Sequence, residues 1–153
     1  MMLKSVLPVC LNLEKFRILI VGAGIVAAQK LKILQKMKCP ITMVSRDASK
    51  PIQRLAKKEK IALRLRSFKD SDIKGHNLIY ACTDDGKLNR RIARLAKKQK
   101  ALFNITDNPS LSNFISPAVC RNEKFLVAVS TSGRNPLLAV SMRNRLQGVI
   151  RRG

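Results

Sequence analysis

Short apolar runs alternate with amphipathic stretches along the first two thirds of the chain. Five runs have the length and the Ile, Leu and Val content of strands, at residues 17–21, 41–44, 61–65, 78–82 and 101–105. Between them, apolar side chains recur three and four positions apart, as on one face of a helix, at residues 25–37, 49–58 and 85–98. The third run alternates apolar and polar residues, so we expect a strand with one solvent-facing side.

The order of these elements predicts the fold class. Strands that alternate with helices are typical of α/β proteins, and here they predict a Rossmann-like, doubly wound and mostly parallel sheet. In such a sheet the crossovers are right-handed, and ligands bind at the carboxyl ends of the strands. Functional residues are therefore expected in the segments that directly follow the strands.

The pattern changes after Asp107-Asn108-Pro109. Two further apolar runs, at residues 114–119 and 125–130, have strand character and are separated by only a few polar residues. They predict a small β-hairpin whose turn lies at residues 121–123.

A last helix is predicted from Pro136, with Asn135 as its N-cap. Its apolar positions repeat every four residues, at Leu138, Met142, Leu146 and Ile150. Because this stripe continues to the end of the sequence, we expect it to pack against a partner or to belong to a longer element. We divide the chain into a Rossmann domain at residues 1–108 and a hairpin-and-helix segment, of the type used in dimerisation, at residues 109–153.

The charge balance is strongly positive, with 31 Lys and Arg against 9 Asp and Glu and a net charge of +22. Such a field attracts nucleic acid, anionic membranes or a small substrate with several carboxylates. The basic residues are spread along the chain, so charges that merely decorate solvated helix faces explain the composition equally well. The sequence contains no recognisable nucleic-acid-reading element and no aromatic stacking strand, so nucleic acid is not the expected partner.

Cysteine usage and hydropathy indicate the compartment. No apolar run approaches the ~18 residues that span a bilayer, and residues 1–4 are too mixed for a signal peptide. The four cysteines are far apart and form no CxxC pair, and His76 has no Cys or His at ligand spacing. We expect a cytoplasmic protein with reduced thiols, no membrane association and no metal site, in which His76 is a turn residue.

A glycine-rich turn joins the first strand to the first helix. Its sequence, Gly22-Ala23-Gly24-Ile25-Val26-Ala27, matches G-x-G-x-x-G/A between a strand and a helix. Gly22 allows the tight turn, Gly24 lets backbone N–H groups approach a pyrophosphate, and Ala27 permits close packing of the helix on the sheet. The positive end of the helix dipole adds to the attraction. We favour a dinucleotide site here over a purely structural glycine turn.

The end of the second strand leaves the choice between NAD and NADP open. A ribose-binding Asp or Glu is expected there, about 20 residues beyond the glycine turn. Ser45 and Arg46 occupy that place, and Asp47 follows. Asp47 can accept a hydrogen bond from a ribose 2′-hydroxyl, whereas Arg46 can bind a 2′-phosphate.

Several motifs follow one another along nearly the whole chain. Besides the glycine turn they are Leu7-Pro8-Val9-Cys10-Leu11-Asn12-Leu13, Ala81-Cys82-Thr83-Asp84-Asp85 with Asn89 beyond it, Asn104-Ile105-Thr106-Asp107, Phe114-Ile115-Ser116-Pro117 and Val127-Ala128-Val129-Ser130-Thr131-Ser132-Gly133. In this order and spacing, from residue 7 to residue 146, the chain resembles the precorrin-2 dehydrogenase family, which is also the N-terminal module of siroheme synthase.

This resemblance implies an NAD-dependent oxidation of precorrin-2 to sirohydrochlorin. Some members also insert ferrous iron, as a sirohydrochlorin ferrochelatase. Carried over by motif, the NAD contacts are Gly22, Gly24, Ile25, Val26, Arg46, Asp47 and Thr83. Because the family tends to lack the standard ribose carboxylate and still uses NAD, NAD is the expected cofactor.

The resemblance also implies that Asp107 is the catalytic residue. Dehydrogenation of the macrocycle needs a base for the proton that leaves along with the hydride, and iron insertion needs one for pyrrole N–H protons. Asp107 follows the fifth strand, at the edge of the sheet where ligands bind. Without the resemblance, the residues themselves favour a simple turn held by an Asx side-chain bond.

The substrate and the assembly state follow from the same resemblance. Precorrin-2 is ringed by acetate and propionate carboxylates, which suits a positive protein. The turn residues Ser130, Thr131 and Ser132 either form an ordinary turn or hold these carboxylates, and the sequence leaves both open. Many members continue beyond the last helix into a region that completes a dimer, so we expect a homodimer, with this chain either a short member or a truncated one.

Two other functions are to be separated from this one. The first is a basic, NAD-sensing module that binds nucleic acid without this catalysis. The second is a chelatase only, in which the Rossmann site is a scaffold and metal is inserted into sirohydrochlorin without reduction of NAD.

Overall fold

The computed structural model describes residues 6–151. Two compact units are present: the larger is Val9–Phe114, and the smaller contains residues 6–8 and 115–151. The domain limits drawn from the sequence, 1–108 and 109–153, stay a prediction.

The larger unit contains a five-stranded sheet. Its strands are β1 (Ile18–Val21), β2 (Ile41–Ser45), β3 (Ala62–Leu65), β4 (Leu78–Ala81) and β5 (Leu102–Ile105). All neighbouring strands are parallel, and their spatial order is β3-β2-β1-β4-β5. The chain therefore winds outwards in both directions from β1, and the predicted doubly wound sheet is confirmed.

Three helices connect these strands, namely α1 (Ile25–Leu34), α2 (Lys50–Lys58) and α3 (Gly86–Lys98). Alternate residues of each central strand face opposite sides of the sheet, so two apolar layers are needed to cover it. One layer lies under α1 and α2, where Ala27 and Leu31 pack with Ile18 and Ile20. This layer is the buried face that the spacing of α1 predicts, although α1 ends at Leu34 and not near residue 37.

The second layer lies under α3, on the opposite side of the sheet. Ile92 of α3 is buried as predicted and packs with Leu19 and Val21 of β1, but Leu88 is only partly buried. Asn89 is buried instead, at 1% exposure. The Asn89 side-chain amide donates a hydrogen bond to the carbonyl oxygen of Thr83 in the loop after β4. This bond holds the Asn89 side of the helix against the sheet.

The edge strands differ in how they are covered. β3 has only one partly buried residue, Leu63, as the alternating pattern predicts for a strand with a wet side. β5 is covered at its outer edge by the segment that follows it. The side-chain oxygens of Ser112 and Asn113 accept hydrogen bonds from the backbone N–H groups of Ile105 and Phe103, at 2.8 and 2.7 Å. These side chains satisfy an edge that has no further strand beside it.

The smaller unit contains a hairpin and a helix: β6 (Ala118–Arg121), β7 (Leu126–Val129) and α4 (Pro136–Ile150). β6 and β7 pair antiparallel, as predicted. The first strand begins later than residue 114, because residues 112–114 are engaged along β5 in the larger unit. The turn also lies later than predicted, because the side-chain oxygen of Asn122 accepts from the N–H groups of Lys124 and Phe125.

The helix α4 starts as predicted and buries Ala139 within the smaller unit. The side chain of Asn135 caps it by accepting a hydrogen bond from the N–H of Leu138 at 2.9 Å. The first half of the predicted apolar stripe is exposed in the single chain, where Leu138 and Met142 are 54% and 40% exposed, so its packing against a partner stays a prediction. α4 packs on β6 and β7 through the small side chain of Ala139, which lets the helix approach the hairpin closely.

Candidate functional site

A cavity of about 1040 Å³ lies at the carboxyl ends of the strands in the larger unit. It occupies the switch point between β1 and β4, where the strand order reverses and where ligands bind in doubly wound sheets. Every sequence-predicted cofactor residue lines it, and so does the predicted catalytic residue: Gly22, Gly24, Ile25, Val26, Arg46, Asp47, Thr83 and Asp107.

Gly22 is required by the close approach of two backbone segments. Its φ is +103°, in the region that favours glycine. A Cβ at this position would lie 2.5 Å from the carbonyl oxygen of Cys82 and 3.2 Å from the nitrogen of Thr83. The turn after β1 therefore touches the segment after β4, which closes the floor of the cavity.

Gly24 leaves the N-terminus of α1 open. It is the N-cap of the helix, makes no side-chain cap bond, and is followed by a first turn without acidic residues. A Cβ added to Gly24 would meet nothing within 4 Å, so the space in front of the helix is free. The first N–H groups of a helix have no intrahelical acceptors, and here the side chains of Ile25 and Val26 are exposed beside them. This cradle fits an anionic pyrophosphate.

The neighbouring helix N-terminus is closed by the protein itself. Asp85 caps α3, and its carboxylate accepts hydrogen bonds from the N–H groups of Lys87 and Leu88 at 2.9 and 3.0 Å. The bond from Leu88 is the main cause that lowers the pKa of Asp85, and the charges of Lys87 and Arg46 lower it further. Of the two helix N-termini that border the switch point, only that of α1 is open to a phosphate.

Thr83 is held rigidly by α3. Its hydroxyl donates to the side-chain oxygen of Asn89 at 2.7 Å, and the Asn89 side-chain amide donates back to the Thr83 carbonyl oxygen at 2.9 Å. This reciprocal pair fixes the loop that faces the glycine turn. Asn89 is thus a positioning residue for the predicted cofactor contact.

Arg66 is a cavity residue that the sequence analysis missed. It follows β3, lines the cavity, and donates two hydrogen bonds to the Asp72 carboxylate, at 2.8 and 2.6 Å. Arg64 donates a third, at 3.1 Å. The hydrogen bond from Arg66 lowers the pKa of the buried Asp72 to about 2. The sequence signal for this pair was weak, since Asp72 is one of few acidic residues in a basic chain. Its pairing with Arg66 depends on the 3₁₀ turn at Asp70–Ile73, which places its carboxylate beside β3.

Asp107 lies on the loop after β5. The loop is anchored because the N–H and the hydroxyl of Thr106 both donate to the carbonyl oxygen of Ala81, each at 3.0 Å. The side-chain turn expected in the alternative interpretation is formed by Asn108, which accepts from the hydroxyl of Ser110 at 2.6 Å. Asp107 is exposed, and within residues 6–151 its carboxylate makes no hydrogen bond or ion pair.

Cys82 is a buried ionisable residue that also lines the cavity. Burial raises the pKa of its thiol to about 11. The thiol therefore stays protonated near neutral pH and is unsuited to act as a nucleophile or base. Among the carboxylates of the cavity, Asp85 is committed to the cap of α3, whereas those of Asp47, Asp84 and Asp107 are exposed.

The predicted substrate residues lie in the smaller unit. Ser130 accepts a hydrogen bond from the N–H of Ser132 at 3.1 Å, and the Thr131 hydroxyl bonds the backbone N–H and carbonyl oxygen of Asn135 at 2.9 and 3.0 Å. Ser132 has a positive φ of 54°. The three residues form an ordered loop in front of α4.

His76 lies in the turn before β4, as the sequence predicts, and is buried there. Its Nε2 is 3.2 Å from the hydroxyl of Thr42. Over residues 6–151, no three His, Cys, Asp or Glu side chains gather as metal ligands. In the same part of the chain, no helix has both the length and the apolar character needed to cross a bilayer.

Comparison with known proteins identifies relatives over most of the chain. Residues 9–118 match the family described as "Putative NAD(P)-binding". The siroheme synthase of Pseudoalteromonas atlantica is 36% identical over 143 residues, and that of Methylococcus capsulatus is 38% identical over 144. Each alignment covers 94% of this chain, which spans only 31% and 30% of the two relatives. These relatives confirm the resemblance to siroheme synthase drawn from the motifs.

The fold also has a counterpart among solved structures. "SirC, precorrin-2 dehydrogenase" superposes with a TM-score of 0.77 and 24% sequence identity, over 94% of this chain and 71% of that one. At this identity the likeness establishes the shared fold. The open N-terminus of α1 at the switch point is the feature that a dinucleotide requires. Since the match covers residues 9–118, the chain belongs to the NAD(P)-binding family.

Proposed function

We propose that this chain oxidises precorrin-2 to sirohydrochlorin with NAD as the electron acceptor. One observation carries the proposal: a single cavity contains both the open pyrophosphate cradle at Gly24 and the unpaired carboxylate of Asp107. A dehydrogenase needs these two features side by side, since a hydride and a proton leave the same substrate. The similarity to siroheme synthases and to the precorrin-2 dehydrogenase fold supports this choice of substrate.

Each part of the cavity has a task in this reaction. The first turn of α1 binds the pyrophosphate, and the Thr83–Asn89 pair holds the loop on the opposite side of the switch point. NAD, when bound, supplies a nicotinamide ring that takes up the hydride. Asp107 accepts the proton that the macrocycle loses as its new double bond forms, and it then passes this proton to solvent. The balance is one hydride and one proton removed for each double bond gained.

NAD is proposed over NADP because of the loop after β2. Asp47 and Arg46 are both exposed there and line the cavity. The carboxylate of Asp47 can accept from a ribose 2′-hydroxyl and repels a 2′-phosphate. Arg66, a second guanidinium of the cavity lining, is already engaged by Asp72 and is not a free phosphate ligand.

The smaller unit is assigned to substrate binding and to assembly. Ser130, Thr131 and Ser132 are proposed to contact substrate carboxylates, which their ordered loop in front of a helix supports. A homodimer is proposed through α4, because Leu138 and Met142, one helical turn apart on the same face, are 54% and 40% exposed. Analytical ultracentrifugation tests the dimer: a monomer at micromolar concentration would contradict it.

An anaerobic absorbance assay tests the proposed reaction. Precorrin-2 and NAD are mixed with the protein, and the absorbance of NADH and of the product chromophore are followed together. We expect both to rise in equal molar amounts. Iron or cobalt insertion into sirohydrochlorin without NADH formation would favour the chelatase, and steep salt-dependent binding of duplex DNA without turnover would favour the nucleic-acid module.

A further inference from the structure

The first two turns of α3 concentrate positive charge next to the proposed catalytic residue. Its first two turns contain Lys87, Arg90 and Arg91, and its first turn contains no acidic residue. Because a helix N-terminus is the positive end of the dipole, cations are unfavourable there and anions are favourable. These charges, together with the positive end of the helix dipole, attract an external anion to the start of α3.

Two of these three cations have partners within the protein. Arg91 pairs with Asp70, with 2.8 Å between Nε and Oδ1. Lys87 acts on the cap residue Asp85 through its charge. Arg90 is exposed, and among residues 6–151 it forms no ion pair or hydrogen bond. Its guanidinium is therefore available to a ligand.

Arg90 lies beside the proposed catalytic carboxylate. The point where a Cβ of Gly86 would stand is 3.6 Å from Nη1 of Arg90 and 3.8 Å from Oδ2 of Asp107. The two charged groups thus flank the same glycine without forming an ion pair within 4.0 Å. A glycine at this position leaves the space between them free, and Lys87 lines the adjoining cavity.

We propose that Arg90, assisted by Lys87, binds the peripheral carboxylates of the substrate and places the macrocycle against Asp107. This assignment rests on the proposed function. A guanidinium binds a carboxylate through two parallel hydrogen bonds, which fixes orientation as well as affinity. A substrate with an acidic group on every pyrrole presents such a carboxylate next to each ring position that loses a proton. Arg90 is thus a positioning residue that determines specificity for polycarboxylate tetrapyrroles.

The test compares Arg90→Gln with Arg94→Gln. Arg94 is on the same helix, is also exposed, and loses the same charge, but it lies about one turn farther from Asp107. We expect Arg90→Gln to raise the KM for precorrin-2 about tenfold, the effect of losing one charge-assisted contact, with little change in kcat. Arg94→Gln should stay within about twofold of the unchanged protein, since a distant exposed charge is screened by salt. Arg90→Lys should recover part of the loss, because it restores the charge without the planar fork.

A binding measurement separates this inference from the proposed function. Uroporphyrin, an unreactive tetrapyrrole with an acetate and a propionate on every pyrrole, is titrated and followed by its fluorescence. Mesoporphyrin, in which most of these groups are replaced by alkyl chains, is the comparison ligand. We expect Arg90→Gln to weaken uroporphyrin binding about tenfold and to leave mesoporphyrin binding nearly unchanged.

The outcomes point in different directions. If the unchanged protein oxidises precorrin-2 but the Arg90 and Arg94 variants behave alike, the assignment of Arg90 is wrong and the proposed reaction stands. If precorrin-2 is not oxidised, the proposed reaction fails, and the uroporphyrin titration still decides whether Arg90 binds carboxylates. If Arg90→Gln and Arg94→Gln lost the same uroporphyrin affinity, the effect would be long-range attraction by the net positive charge, and the inference would be overturned.

Discussion

Replacing Gly22 by alanine tests whether the floor of the cavity is built as described. The new Cβ would stand 2.5 Å from the carbonyl oxygen of Cys82, about 0.9 Å closer than an ordinary contact. Neither side can retreat easily. The N–H of Gly22 donates to the carbonyl oxygen of Val44, and the N–H of Cys82 donates to that of Val21, both at 2.8 Å.

The expected cost combines two terms. An alanine held at a φ of +103° costs about 1–3 kcal/mol, because its side chain is strained in that region. The overlap with the Cys82 backbone adds about 1–3 kcal/mol, as for overpacking in a core. We therefore expect Gly22→Ala to lower the free energy of unfolding by about 3 kcal/mol. In a chain of this length that corresponds to a fall in Tm of about 6–12 °C.

Urea denaturation followed by circular dichroism measures this difference, and Gly24→Ala is the matched control. Gly24 has ordinary backbone angles, φ −78° and ψ −171°, and free space around its missing Cβ. The control should lose less than about 1 kcal/mol, the usual cost of a poor N-cap residue. If the two variants had equal free energies of unfolding within about 1 kcal/mol, the close approach of the turn to β4 would be disproved.

Four further predictions concern the site. Gly24→Asp should abolish NAD binding in calorimetry while the chain stays folded, since the new carboxylate would occupy the open N–H groups of α1 as Asp85 does in α3. Unchanged NAD affinity would contradict the assignment of the pyrophosphate site to Gly24. Asp107→Asn should lower precorrin-2 turnover by roughly 10²–10⁴-fold with NAD affinity and Tm nearly unchanged, and a variant that keeps most of its activity would show that Asp107 is not the base. In initial-rate measurements kcat/KM should be higher with NAD than with NADP, and the reverse would assign Arg46 to a 2′-phosphate. The pKa of Asp72 is lowered from 3.8 to about 2, so its carboxylate should contribute about 2 kcal/mol to the free energy of unfolding above pH 4. This contribution should be lost as the pH falls towards 2, and acid denaturation of Asp72→Asn should lack it.

The sequence by itself determined the elements of this protein and their order. Strand and helix periods are local, so the strand at residues 17–21 and the helix that begins at residue 25 were identifiable without knowledge of what they contact. The glycine turn and the Asn135–Pro136 helix start were also readable, because each depends on the backbone within a few residues. A match to G-x-G-x-x-G/A placed the cradle, and the parallel strand order then brought Thr83 and Asp107 to the same edge.

Only the tertiary structure decided which polar groups are engaged and which are free. Arg66 is engaged by Asp72 of the 3₁₀ turn, whereas Arg90, near Asp107, has no ion-pair partner among the described residues, and nothing in the spacing of basic residues distinguishes the two. The face that α3 turns to the sheet was likewise set by one polar side chain, Asn89, and not by its leucines. Hydrophobic periodicity records burial averaged over a helix, while a hydrogen bond or ion pair depends on a few ångströms between residues brought together by the fold.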